Sequence, residues 1–278
     1  TSSSSLQEYV AALDKLRHCL PQRDGGWKIG EGVFSHGVDL LAETLNPGSY
    51  FRIFVVNATG REPEDRFCRW LESAFIGMSW PDPRIWCNMI GSLAASARTT
   101  SMSATLAGVI ASDSILYSAR TLFGSMGFIL SYVEVINSGG DGRLVVDQYK
   151  KSEAVLRIPG FARPIANGDM RVDIMLEVDK KLGYERGAHM KAALELSEKI
   201  QQEYGQSINF AGYLAAFLAD NGYSPEEAYR FFSIITNSGI TACYADDIKK
   251  PAGHFLPLRC DDIEYRGVAS RALPPSAL

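Results

Sequence analysis

The stretch INFAGYLAAFLADNGYSPEEAYRFFSII, residues 208–235, decides the fold class. Residues 208–219 are apolar almost without interruption, the composition of a helix buried on every side. Ser224, Pro225, Glu226 and Glu227 follow as a helix start. The serine suits the N-cap, proline suits the first turn, and Glu227 completes a capping box. Ala228, Phe231, Phe232 and Ile235 then fall on one helical side. A buried helix followed at once by an amphipathic one predicts an all-α core.

The same period recurs outward from this stretch. Upstream, Met190, Ala193, Leu194, Ser197 and Ile200 make a face that Tyr204 extends. Residues 172–182 read as another helix that Gly183 terminates. Over 62–76, Phe67, Trp70, Leu71, Ala74 and Phe75 form one stripe. Residues 94–114 are rich in Ala, Ser, Thr and Gly, which predicts helices in close approach. The rival signal is FRIFVVN at 51–57, strand-like in composition but without a partner run to make a sheet. NSGGDG (137–142) and KKPAG (249–253) read as loops.

Composition narrows the function. The chain has 278 residues, 46% of them hydrophobic, enough for a sizeable core and for two domains. A net charge of −4 with no basic stripe argues against nucleic acid and against an anionic membrane surface. Uncharged apolar residues run only from 121 to 133, short of the ~20 a bilayer span needs, so we expect a soluble chain. Five cysteines (Cys19, Cys68, Cys87, Cys243, Cys260) without a CxxC pair predict free thiols and a reduced, cytoplasmic setting. Four histidines (His18, His36, His189, His254) without HxxxH or HExxH spacing point to no metal site.

Three segments carry candidate chemistry. RIPGFARPIANGDMR (157–171) holds a Pro-Gly turn and the arginines 163 and 171 ahead of a helix, a natural anion cradle if they are not merely solvated. WPDPRIWC (80–87) is a rigid turn in which Asp82 and Arg84 can pair. KPAGHFLPLRCDDIEYRG (250–267) mixes His, Arg, acids and Tyr, suited to a site or to a subunit contact.

Together these segments resemble the citrate synthase and citryl-CoA lyase superfamily. PGFARPIANGDMR is similar to the family's PGFGH followed by D-P-R, and closest to the N-x-D-M-R of the citryl-CoA lyase module of ATP-citrate lyase. LRCDDIEYRG resembles the closing segment ending in Y-x-G. WKIGEGVFSHGVDLLAETL with NATGREPED resembles the opening turn and G-x-x-P. SATLAGVIASDSILYS resembles the helix leading to P-L-H-G, and INFAGYLAAFLADNGYSPEEA the helix opening with N-V-D. The five motifs run in order from about residue 27 to 267. The resemblance implies an all-α fold with a large domain (1–118 and 223–278), a small domain (119–222) and a cleft between them. It further implies an obligate homodimer, no tightly bound cofactor, a CoA thioester as co-substrate, a carboxylate substrate, and aldol or Claisen chemistry.

On that resemblance Ile158, Pro159, Gly160 and Phe161 belong to the CoA-binding turn, while Asp169, Arg171 and His254 are substrate-binding candidates. The family's catalytic side chains are replaced. Tyr117 stands where the first histidine belongs, Arg163 where the second belongs, and Ala211 at the catalytic aspartate. The segment GITACYADDI has no counterpart of the later substrate arginine. Alanine accepts no proton, and arginine stays protonated near neutrality. Tyr117 and Arg163 are therefore the catalytic candidates for a rewired reaction, with His254, Asp169 or Asp82 as the missing base. The alternatives are an inactive CoA- or carboxylate-binding partner subunit, and a carboxylate enzyme that does not use CoA.

Overall fold

The computed structural model describes residues 3–17, 22–152, 155–162, 168–254 and 259–271. Helix α1 (Ser3–Lys15) precedes a small antiparallel meander of β1 (Gly25–Lys28), β2 (Gly32–Ser35) and β3 (Val38–Asp39), which the helical pattern of the sequence did not foretell. The Asp39 carboxylate accepts from the Leu41 and Ala42 amides and so starts α2 (Leu40–Leu45). Next come α3 (Tyr50–Thr59), α4 (Asp65–Gly77), α5 (Trp86–Ser96), α6 (Ser101–Ser112) and α7 (Ser118–Asn137). After α8 (Arg143–Asp147), a short hairpin of β4 (Lys150–Ser152) and β5 (Val155–Leu156) leads to α9 (Met170–Lys181). Helices α10 (Ala188–Tyr204), α11 (Phe210–Asp220), α12 (Pro225–Phe232) and α13 (Asn237–Asp247) complete the set, with one 3-10 turn at Cys260–Asp262. The fold is helical, as the periodicity predicts.

Two segments take a helical form that their composition left open. FRIFVVN lies inside helix α3, capped by the Ser49 hydroxyl at one end and by Gly60 (φ +71°) at the other. Its β-branched and aromatic residues satisfy helical spacing as well: Val55 and Val56 are buried, and Phe51, Phe54 and Ala58 pack on the core, so tertiary burial overrides strand propensity. The apolar run 121–133 lies inside a longer helix that also takes in Arg120 and Glu134. Helix α7 has 20 residues and is long and apolar enough to cross a bilayer. Its Leu122, Met126, Phe128, Ile129 and Val133 instead lie in the protein core, where α7 packs on α10, α11 and α12.

Helix α11 is the centre of that core. Every residue from Gly212 to Ala219 is buried, and Phe217 stacks on Trp70 of α4 with ring centroids 3.9 Å apart. Helix α12 carries the full capping box, Ser224 and Glu227 each holding the other's amide. A second packing unit joins α5, α6 and α13. There the small residues of 94–114 act as expected: a Cβ at Gly108 would lie 2.8 Å from Ile240 Cγ2, so glycine lets the helices touch. Gly91 makes the same approach from α5, 2.8 Å from the Ile240 carbonyl.

One polar chain crosses the main core. Trp70 Nε1 donates to Tyr213 Oη (2.9 Å), and Tyr213 donates to the Asp179 carboxylate (2.6 Å). Burial pushes the Asp179 carboxyl up to about 6, against the hydrogen bonds that lower it. A carboxyl with a raised folded-state pKa binds more protons folded than unfolded as pH moves between about 4 and 6, so stability falls as pH rises through that window and the penalty is complete above it. Asp179→Asn keeps an acceptor for Tyr213 and removes the charge. We expect it to raise unfolding free energy at pH 7.5 by about 1–3 kcal/mol, and to flatten the pH 4–6 slope in urea titrations.

Candidate functional site

The site candidates gather where α11 begins. Asn209 caps that helix: its Oδ1 accepts from the Ala211 (2.9 Å) and Gly212 (3.2 Å) amides. Its Nδ2 donates to the Ala162 carbonyl at 2.6 Å, and its own amide donates to the Gly160 carbonyl at 2.8 Å. Asn209 thus stitches the Pro-Gly turn onto the helix start.

The turn itself is wedged between two helices. Ile158 and Phe161 are buried, Phe161 meeting Phe128 of α7 edge-on at 5.7 Å. Ser125 of α7 donates to the Pro159 carbonyl at 3.1 Å. Gly160 has φ +87°, and a Cβ there would fall 1.9 Å from Ser125 Oγ and 2.8 Å from Gly212 Cα. Only glycine fits, both by conformation and by space. Of the four turn residues implied for CoA, Ile158, Gly160 and Phe161 are buried, and Pro159 is half-buried.

Asp169 and Arg171 come together at the same point. The Asp169 side chain is fully buried and N-caps α9, accepting from the Arg171 amide at 3.3 Å. It also accepts from the Phe210 amide at 3.0 Å, so one carboxylate serves the first turns of α9 and α11. The Arg171 guanidinium binds it bidentately, Nε to Oδ1 at 2.8 Å and Nη2 to Oδ2 at 2.6 Å. The guanidinium lies over the Phe210 ring, 4.7 Å from its centroid. Its remaining nitrogen, Nη1, meets Met78 Sδ at 2.9 Å. Arg171 is thus held against the protein, 23% exposed, with its charge already neutralised by Asp169.

The other candidates lie on other elements. Tyr117 sits just before α7, half-buried, its ring 6.3 Å from Trp86 and its hydroxyl beside the buried Cys87 thiol, which burial pushes up to about 11. His254 borders a pocket of about 370 Å³, with Asp246, Asp247, Lys250 and Cys243 among its lining. Its Nδ1 lies 2.9 Å from the Pro251 carbonyl and its Nε2 3.5 Å from Asp247. Arg163 lies outside the described residues. Ala211, half-buried in the first turn of α11, occupies the position matched to the missing aspartate.

The candidate bases are poorly placed for that task. Hydrogen bonds from Arg84 hold the Asp82 carboxyl down to about 2, making it a weak base. Asp169 is saturated by Arg171 and two amides. The first acid along α11 is Asp220, which accepts from the His189 and Met190 amides at the start of α10. Among the described residues no group of three or more His, Cys, Asp and Glu side chains is arranged to hold a metal. Two participants escaped the sequence reading. Asn209 was legible as an N-cap ahead of an apolar run, whereas Met78 gave no local signal.

At the level of sequence, no family model and no curated protein matches the chain. Solved structures do match. The citryl-CoA lyase of Hydrogenobacter thermophilus superposes with a TM-score of 0.74 at 21% identity, over 92% of this chain and 97% of that one. The ATP citrate lyase of Methanothrix soehngenii, in complex with citrate and coenzyme A, gives 0.74 at 15% identity, over 97% of this chain and 45% of that one. The citrate synthase of Thermoplasma acidophilum, with carboxymethyl coenzyme A and oxaloacetate, gives 0.58 at 18% identity, over 81% of this chain and 59% of that one. The chain has the helical fold these proteins share, the one its motifs imply.

Breaking the buried pair from either side should be costly. Asp169→Ala leaves an uncompensated guanidinium and two orphaned amides, and Arg171→Ala leaves a buried carboxylate. Each is expected to lose about 3–5 kcal/mol in urea unfolding. The double variant should lose clearly less than the sum, with the difference in a double-mutant cycle measuring the coupling.

Proposed function

Starting from the fold held in common with citryl-CoA lyase and citrate synthase, we propose that this chain acts on a CoA thioester and a carboxylate substrate, making or breaking a carbon–carbon bond by aldol or Claisen chemistry with catalytic residues other than imidazole and aspartate. The observation that carries this reading is the convergence of the 158–162 turn, Asn209 and the Asp169–Arg171 pair on the first turn of α11. Neighbours of this fold bind CoA together with citrate or oxaloacetate. In the proposed site, the half-buried Pro159 of the turn faces the CoA moiety and Arg171 orients a carboxylate. Tyr117 donates its hydroxyl proton to a developing oxyanion, and Arg163 offers positive charge where the second histidine of the motif would stand. The cleft lies between a large domain (1–118, 223–278) and a small one (119–222). His254, on the wall of the 370 Å³ pocket, is a further candidate contact for the ligand.

A second reading has its own support. Ala211 accepts no proton, and Asp220 is engaged in capping α10. Both favour an inactive relative that binds CoA or a carboxylate, or that completes a partner enzyme.

Titration calorimetry and thermal melts with CoA, acetyl-CoA and a panel of di- and tricarboxylates separate these. A CoA ester should raise the melting temperature, and turnover of an acyl-CoA should fall about 10²–10⁴-fold in Tyr117→Phe with the fold intact. Binding without any carbon–carbon product sinks the enzyme reading and leaves the second. Stabilisation by carboxylates alone sinks both uses of CoA.

We also propose a homodimer in a reduced, cytoplasmic setting. Helix α5 exposes Trp86, Met89 and Leu93, and α6 exposes Met102, Leu106 and Ile110, apolar stripes at helical spacing on two helices packed together. Sedimentation velocity should give a dimer, and Leu106→Glu with Ile110→Glu should give a folded monomer; a monomeric unmodified chain at micromolar concentration refutes this assembly.

A further inference from the structure

The Arg171 guanidinium is fully specified on all but one edge. Nε and Nη2 are spent on Asp169, and the Phe210 ring covers one face. Nη1 faces the sulfur of Met78 at 2.9 Å. A thioether is a weak, neutral acceptor, whereas a carboxylate oxygen on the same N–H groups would form a charge-assisted bond about twice as strong as a neutral one. Met78 is also easily moved. It is the C-cap of α4, where the chain leaves the helix, and its unbranched side chain has three rotatable bonds. Met78 is half-buried, and the Arg171 side chain keeps 23% exposure, so the edge lies near solvent and not in the deep core.

We propose that a small-molecule carboxylate docks on the Nη1 edge of Arg171 by displacing the Met78 thioether, which makes Met78 a specificity-determining residue of the site. The inference rests on the reading that Arg171 binds a substrate carboxylate, and adds where that group enters and what it removes. Met78 acts as a stopper. A carboxylate gains enough from the cationic N–H groups to move it, while a neutral amide or ester carbonyl gains little over the sulfur it would replace. Asp169 already balances Arg171, so the cluster with one carboxylate bound carries a net charge of −1. A second carboxylate of the same ligand must find its cation elsewhere.

The test uses the full-length chain and titrates citrate, succinate and the neutral succinamide into wild type, Met78→Ala and Met78→Glu by calorimetry, with thermal melts of each protein. Clearing the edge in Met78→Ala should tighten citrate binding about three- to tenfold without creating affinity for succinamide. Met78→Glu supplies a tethered carboxylate to the same edge. It should melt several degrees higher than wild type and bind citrate at least tenfold more weakly. Citrate affinity within twofold of wild type in both variants overturns the docking edge while leaving carboxylate binding by the chain in place. If Met78→Glu fails to fold, Met78→Ala decides: tighter binding supports the proposal, and unchanged or weaker binding overturns it. Wild-type protein that binds no carboxylate at millimolar concentration overturns both this inference and the reading beneath it.

Discussion

The buried carboxylate of Asp169 is the constraint on which the candidate site depends. A fully buried charge needs compensation from a counter-ion and from hydrogen bonds, since its desolvation costs several kcal/mol. Here Arg171 supplies the first and the opening amides of α9 and α11 the second. The positions of the two helix starts are thereby tied together, although 41 residues separate Asp169 from Phe210. Phe210 completes the arrangement from the other side by presenting its ring to the guanidinium it helps to place.

This arrangement changes the chemistry that the arginine-rich segment suggested. Two guanidiniums near a helix start would make a strongly positive cradle. At Arg171, Asp169 turns that charge into a neutral, directional element that offers one donor edge. Affinity for an anion there comes from hydrogen-bond geometry more than from long-range attraction, and depends correspondingly little on salt.

Much of this was legible in the residues, and the gaps have physical causes. The buried α11, the capped α12 and the small-residue contacts of α5 and α6 followed from periodicity and from side-chain size, because helix packing is encoded within a few turns of chain. FRIFVVN read as strand-like without a partner strand because β-branched and aromatic residues suit any buried surface, and α3 buries them at helical spacing. Asp169 could be read as an N-cap from its place before α9, but its bond to Phe210 depends on tertiary proximity that no local pattern contains. Met78 was invisible for the same reason. His254 read as a site residue from the composition of its segment, and the fold sets it on the wall of a pocket beside Asp247.

The contact between Gly160 and Gly212 has a mechanical consequence. A Cβ built on Gly212 would lie 2.3 Å from the Gly160 carbonyl oxygen, so bare main chain touches bare main chain with no side chain to yield. Rotating α11 about its axis by one residue would bring Ala211 or Tyr213 against that oxygen. The turn therefore works as a pawl on the helix, locking its screw register. Any rearrangement that shifts the turn to admit a ligand has to translate or tilt α11 as a rigid rod.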